Sequence, residues 1–200
     1  DRERLDARLA PPARASGAPW PDEAQHAMMG MNTAEWTAYM HDAVGVPMTP
    51  DEILVQVEER LIARYRADPP LVPGAVDAVR GLAERWPLGL ASSSTRRLIA
   101  TVLEVAGLTS AFAVTVSSEE VPRGKPAPDV YEAALARLGV DPLEAVAVED
   151  SSAGIRSAAA AGMRVVAIPN PHYPPADDAL GLADIVLATI AELAPEAVGG

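Results

Sequence analysis

From Leu71 onward, helical runs alternate with short β-prone runs, and few folds accept that alternation. Parallel strands joined by helical crossovers do so directly, which predicts an open α/β sheet. A helix from Gly74 places Val76, Val79, Leu82 and Trp86 on one face, ahead of a buried strand over Leu88 to Ala91. A helix from Arg97 to Ala106, closed by Gly107, leads to a strand over Phe112 to Val116. Asp129 to Leu138, closed by Gly139, leads to a strand over Ala145 to Val148. Ser152 to Ala161, closed by Gly162, precedes Arg164 to Ile168, and Ile185 to Leu187 completes the strand set. Glycine after each helix fits the left-handed conformation that ends helices. No internal repeat interrupts this order.

Residues before Pro69-Pro70 read as helices separated by proline and glycine. Asp1 to Leu9 forms a short charged helix stopped by Pro11-Pro12, and another start falls at Asp22. Thr33 to Val44 carries Trp36, Tyr39 and Met40 at helical spacing, and Thr49-Pro-Asp-Glu opens the run Ile53, Leu54, Val57, Leu61, Ile62, Tyr65. The expected division is therefore a helical domain over 1–70 and an α/β domain over 71–200.

With 200 residues, 49% of them hydrophobic, the chain has ample material for a packed core. A formal charge of −12 opposes nucleic acid and anionic membranes, so an anionic ligand needs local donors. The absence of cysteine excludes disulfides and thiolate chemistry and fits a reducing compartment. No apolar stretch reaches the roughly 18 residues of a spanning helix, and the acidic start is unlike a secretory signal, so the expectation is a cytoplasmic protein.

Open α/β sheets carry their chemistry in the loops beyond the carboxyl ends of the strands. After the Leu88 strand comes Ser92-Ser93-Ser94-Thr95, either an anion cradle of hydroxyls and amides or a helix cap. After the Phe112 strand, Lys125 stands between Gly124 and Pro126, in a loop whose second proline, Pro128, starts a helix that can aim its ammonium inward. Gly124-Lys125 is no nucleotide P-loop, because Glu119 occupies the earlier glycine position and no Ser or Thr follows the lysine. After the Ala145 strand, Glu149-Asp150 offers adjacent carboxylates suited to Mg²⁺, with capping by Asp150 or Ser151 as the simpler explanation. Taken together the loops offer donors, a cation and carboxylates, the combination that a phosphoryl group needs.

The runs LGLASSS (Leu88 to Ser94), GKPAPDVY (Gly124 to Tyr131) and VEDSSAGIRSAAAAGM (Val148 to Met163) resemble the haloacid dehalogenase superfamily, in its phosphatase and β-phosphoglucomutase-like branch. The resemblance implies a Rossmann-like parallel sheet with a helical cap of the C1 type. It implies that Ser92 hydrogen-bonds the phosphoryl group beside the Ser93 amide and that Lys125 neutralises its charge. Asp150 would ligate Mg²⁺, with Glu149 assisting. The substrate implied is a small phosphorylated metabolite, and a monomer or weak dimer is expected.

One departure stands out. The family's nucleophile is the first aspartate of an Asp-x-Asp motif on the first core strand, and no Asp-x-Asp occurs in this sequence. Since that strand lies mid-sheet, its absence would leave neighbouring strands with open edges. Either an N-terminal segment precedes Asp1 in the complete protein, which is the favoured expectation, or the chain is a noncatalytic relative. Glu149-Asp150 replaces the Ser-Asn-x-x-Asp pattern of the dehalogenases, which favours metal-dependent phosphoryl transfer. Thr33-Ala34-Glu35-Trp36 lacks the arginine of the mutase cap, which makes a phosphotransferase the weaker alternative. Met28, Met29, Met31 and Trp36 either line a substrate chamber or pack a helical core. Arg96 and Arg97 either add positive potential beside the serines or are solvated. His26, His41 and His172 lack ligand spacing.

Overall fold

The computed structural model describes residues 24–28, 31 and 33–198. The chain divides into two compact units, Asp1–Asp68 and Pro69–Gly200. The predicted Asp1 to Leu9 helix, the start at Asp22 and Met29 lie outside the described residues.

In the first unit, α1 spans Ala24–Met28, α2 Thr33–Asp42 and α3 Pro50–Ala67. Thr49 fixes where α3 begins. Its hydroxyl accepts from the Glu52 amide at 3.3 Å while the Glu52 carboxylate accepts from the Thr49 amide at 2.8 Å, a reciprocal cap with Pro50 at the first helical position. Met40, Val46, Ile53 and Val57 form the buried centre with Ala24 and Met28, and Met31 and Trp36 pack against it. Core packing thus accounts for Met28, Met31 and Trp36.

The second unit carries α4 (Ala75–Ala83), β1 (Leu88–Ser92), α5 (Arg96–Ala106), β2 (Phe112–Ser117), α6 (Asp129–Leu138), β3 (Val146–Glu149), α7 (Ser152–Ala160), β4 (Arg164–Ala167), α8 (Asp177–Leu180), β5 (Ile185–Val186) and α9 (Pro195–Val198). These bounds lie close to the expected ones, because Gly107 and Gly139 adopt left-handed backbones with φ of 63° and 68° and stop α5 and α6 where the sequence signals it. Trp86 falls beyond the end of α4 rather than on it.

All strand pairs are parallel, so their carboxyl ends share one direction. Among the described residues they form two sheets, β1-β2 and β3-β4-β5, instead of one. Among the described residues β1 and β3 each pair on a single side and leave an open edge. A shared core still joins the strands and helices. Val116 on β2, Ala147 on β3 and Val165 on β4 pack with Val130 and Ala134 on α6 and Ile155 and Ala158 on α7.

Candidate active site

Ser92 is the last residue of β1, and Thr95, not a serine, caps α5 by accepting from the Leu98 amide at 3.3 Å. Capping therefore does not account for Ser92. Its hydroxyl oxygen accepts from the Ser94 amide at 3.1 Å, which leaves its O–H as a donor to a ligand. Ser117 and Ser118 hold this loop from the end of β2, donating to the Ser94 and Ser93 carbonyls at 2.7 and 3.0 Å. Ser93 itself is exposed.

Lys125 follows in a loop anchored to α7, where the buried Ser157 hydroxyl donates to the Ala127 carbonyl at 2.6 Å. The Lys125–Pro126 peptide bond is cis. The Lys125 side chain turns inward and is only 11% exposed. Its ammonium donates to the Ala91 carbonyl at 3.2 Å, to the Tyr131 hydroxyl at 3.4 Å and to the Glu149 carboxylate, with which it forms a buried ion pair. Lys125 thereby links the carboxyl ends of β1 and β3.

Glu149, the buried last residue of β3, also accepts from the Tyr131 hydroxyl. Burial and the nearby Glu149 charge push the Tyr131 phenol far above its ordinary pKa, so it remains a donor to that carboxylate. Ser151 caps α7 by accepting from the Gly154 amide at 3.1 Å, which leaves Asp150 free of that task. Asp150 stands at the solvent side of the loop. Partial burial of its carboxyl, and then repulsion from Glu149, hold its pKa above the ordinary aspartate value, against a hydrogen bond from the Asn170 side chain and the pull of Lys125.

The structure therefore brings Ser92 at the carboxyl end of β1 and Glu149-Asp150 at the carboxyl end of β3 to either side of Lys125, in the loop that follows β2. Among the described residues no group of three or more His, Asp or Glu side chains gathers into a protein-only metal cage. Glu149 and Asp150 are hard carboxylate donors of the kind of which Mg²⁺ takes one or two, its other positions going to water and phosphate. Burial, and then the like charge on Glu149, raise the Asp150 pKa, a penalty on its ionised form that a divalent cation beside it would relieve. Asp150 carries the more accessible carboxylate of the two, since Glu149 is already engaged by Lys125 and Tyr131.

Arg96 does not face the serines. Its guanidinium donates to the Thr115 hydroxyl and carbonyl at 3.0 and 3.1 Å and pairs with Glu120. Sequence reasoning passed over Tyr131, Ser157 and Asn170. The available signal was a tyrosine among the aliphatic residues of α6, since a buried phenol requires a partner.

The haloacid dehalogenase-like hydrolase family model matches residues 6–162, and the chain belongs to that family. Hexitol phosphatase B of Escherichia coli K12 is 38% identical over 143 residues, covering 71% of this chain and 64% of that protein. The chain thus spans slightly less than two thirds of that relative. Validoxylamine A 7'-phosphate phosphatase of Streptomyces hygroscopicus subsp. limoneus is 31% identical over 186 residues, covering 90% of this chain and 83% of that protein. Among solved structures, CbbY of Rhodobacter sphaeroides in complex with phosphate superimposes with a TM-score of 0.83 at 26% identity, covering 100% of this chain and 94% of that one. These similarities carry the α/β fold with its parallel strands. No helix among the described residues is long and apolar enough to cross a membrane.

Proposed function

We propose that the complete protein is a Mg²⁺-dependent phosphatase that hydrolyses a small phosphomonoester of the sugar-phosphate kind. The observation that carries this reading is the convergence on Lys125 of the β1 end, through the Ala91 carbonyl, and the β3 end, through the Glu149 carboxylate, whose chain neighbours are Ser92 and Asp150. A donor at Ser92 and a cation at Lys125 would hold the oxygens of a phosphoryl group in a fixed orientation. Asp150, helped by Glu149, would hold the metal, which when bound supplies charge compensation between carboxylates and phosphate.

The attacking group in this reading is an aspartate on a strand N-terminal to Asp1. It would displace the alcohol in line to form an aspartyl-phosphate, which water then hydrolyses to inorganic phosphate. Two observations support that placement: the sequence has no Asp-x-Asp, and among the described residues β1 and β3 each have an open edge. Residues 1–70 would serve as the cap domain, the part that in this reading selects the leaving group. A cytoplasmic setting and a monomer or weak dimer belong to the same reading, as does the small phosphorylated metabolite as partner.

The test has two parts. The coding sequence upstream of Asp1, read in frame, is expected to encode an apolar strand ending in Asp-x-Asp. The complete protein is then expected to release phosphate from a panel of hexose, pentose and hexitol phosphates when Mg²⁺ is supplied. An upstream strand without Asp-x-Asp would identify a noncatalytic binding protein instead.

A further inference from the structure

We propose that Tyr131 is a positioning residue that fixes the Lys125 ammonium through its hydroxyl. The inference rests on the reading of Lys125 as the cation that meets phosphate. Lys125 is the only lysine in the sequence; every other member of the 16 basic residues is an arginine. An ammonium differs from a guanidinium in presenting three donors from one compact atom. Three acceptors surround that atom: the Ala91 carbonyl at 3.2 Å, the Tyr131 hydroxyl oxygen at 3.4 Å and the Glu149 carboxylate.

Tyr131 takes part twice. Its O–H donates to the same Glu149 oxygen that Lys125 approaches, so its oxygen is left with lone pairs toward the ammonium. Its ring also lies under that ammonium, 4.8 Å from Nζ to the ring centroid. Lysine, tyrosine and glutamate thus close a ring of three hydrogen bonds in which each side chain limits the other two. Phenylalanine at 131 would keep the ring and the burial but delete the oxygen. Glu149 would then lose one of its two donors from these side chains, and Lys125 one of its three acceptors. The charges would remain while their fixed geometry would not.

The tether is measured directly by heteronuclear NMR of the complete protein carrying isotopic nitrogen at its lysine side chains, with the Lys125 ammonium signal identified by its absence in Lys125→Arg. In the native protein the signal is expected to be ordered and slow to exchange with water. In Tyr131→Phe it is expected to lose order or to broaden beyond detection, with the thermal midpoint little changed. Turnover should then fall by about ten- to a hundredfold in kcat, with KM within about twofold, because a misplaced charge fails chiefly in the transition state. Tyr131→Leu, which removes ring and hydroxyl, provides a second variant with the same expected loss of order. An ammonium signal as ordered in the folded variants as in the native protein would overturn the proposal. This readout needs no catalysis, so a native protein inactive on every phosphomonoester would count against the phosphatase reading while the tether is still decided by NMR.

Discussion

The carboxylate of Glu149 fills the space where a side chain at Gly154 would begin. A Cβ built on Gly154 would overlap both carboxylate oxygens and the carbon between them. Glycine is favoured here by the Glu149 side chain and not by the backbone, because Gly154 lies within α7 and has no positive φ.

Gly154→Ala therefore tests whether that seat matters. Alanine is intrinsically better than glycine within a helix by about 1 kcal/mol. Eviction of Glu149 from Lys125 opposes that gain, and separating a buried ion pair costs about 3–5 kcal/mol. The expected net result is a loss of about 2–4 kcal/mol in denaturant unfolding, together with loss of turnover. A stabilised variant would show that Glu149 has room to move aside.

At position 125, charge alone should not suffice. Lys125→Met leaves Glu149 buried without its cation and is expected to destabilise the fold by about 3–5 kcal/mol in chemical denaturation. Lys125→Arg keeps the charge, but a planar fork cannot meet three acceptors gathered around one atom. Its turnover is expected to fall by at least about a hundredfold in steady-state assays.

The raised pKa of Asp150 gives a prediction of opposite sign. A carboxyl whose folded-state pKa lies above its unfolded value destabilises the fold once ionised, and this penalty fades as pH falls toward the raised pKa. Without divalent metal, Asp150→Asn is expected to melt at a higher temperature than the native protein at neutral pH, with the difference shrinking in mild acid. Added Mg²⁺ should raise the native midpoint and leave the variant's unchanged. Differential scanning calorimetry at several pH values reads both effects.

The elements were largely legible in the sequence, whereas the way the site is held together was not. Gly107 and Gly139 mark helix ends because left-handed backbone there favours glycine, a purely local preference. Ser92, Lys125, Glu149 and Asp150 could be picked out because strand ends followed by polar loops are also local signals. The Tyr131–Glu149–Lys125 ring joins residues 6 to 24 positions apart, and no periodicity encodes which side chain a buried phenol meets. The same holds for Ser157, whose hydroxyl reaches a carbonyl 30 residues away. Arg96 sits beside the serines in sequence and yet turns to Thr115 on β2, since direction depends on the fold. The division of the described strands into two sheets was not foreseen, since which strands pair depends on contacts distant in sequence.

Arg123 and Asp129 offer a check on the lysine loop from outside the site. The hydrogen bond from Arg123, at 2.8 Å, holds the Asp129 carboxyl below the usual aspartate range. Its contribution to stability is present above the ordinary aspartate pKa and disappears as pH falls through the lowered one. Arg123→Ala is expected to return the Asp129 pKa toward the ordinary value in an NMR titration. The Arg123 guanidinium is exposed, so high salt should diminish the difference between native and variant.

The most direct measurement is phosphate release from p-nitrophenyl phosphate by the complete protein with Mg²⁺, compared side by side with Lys125→Ala and Asp150→Asn. Turnover in the native protein and its loss in both variants is the predicted result. Undiminished turnover in either variant would contradict the assignment of phosphoryl chemistry to this cluster.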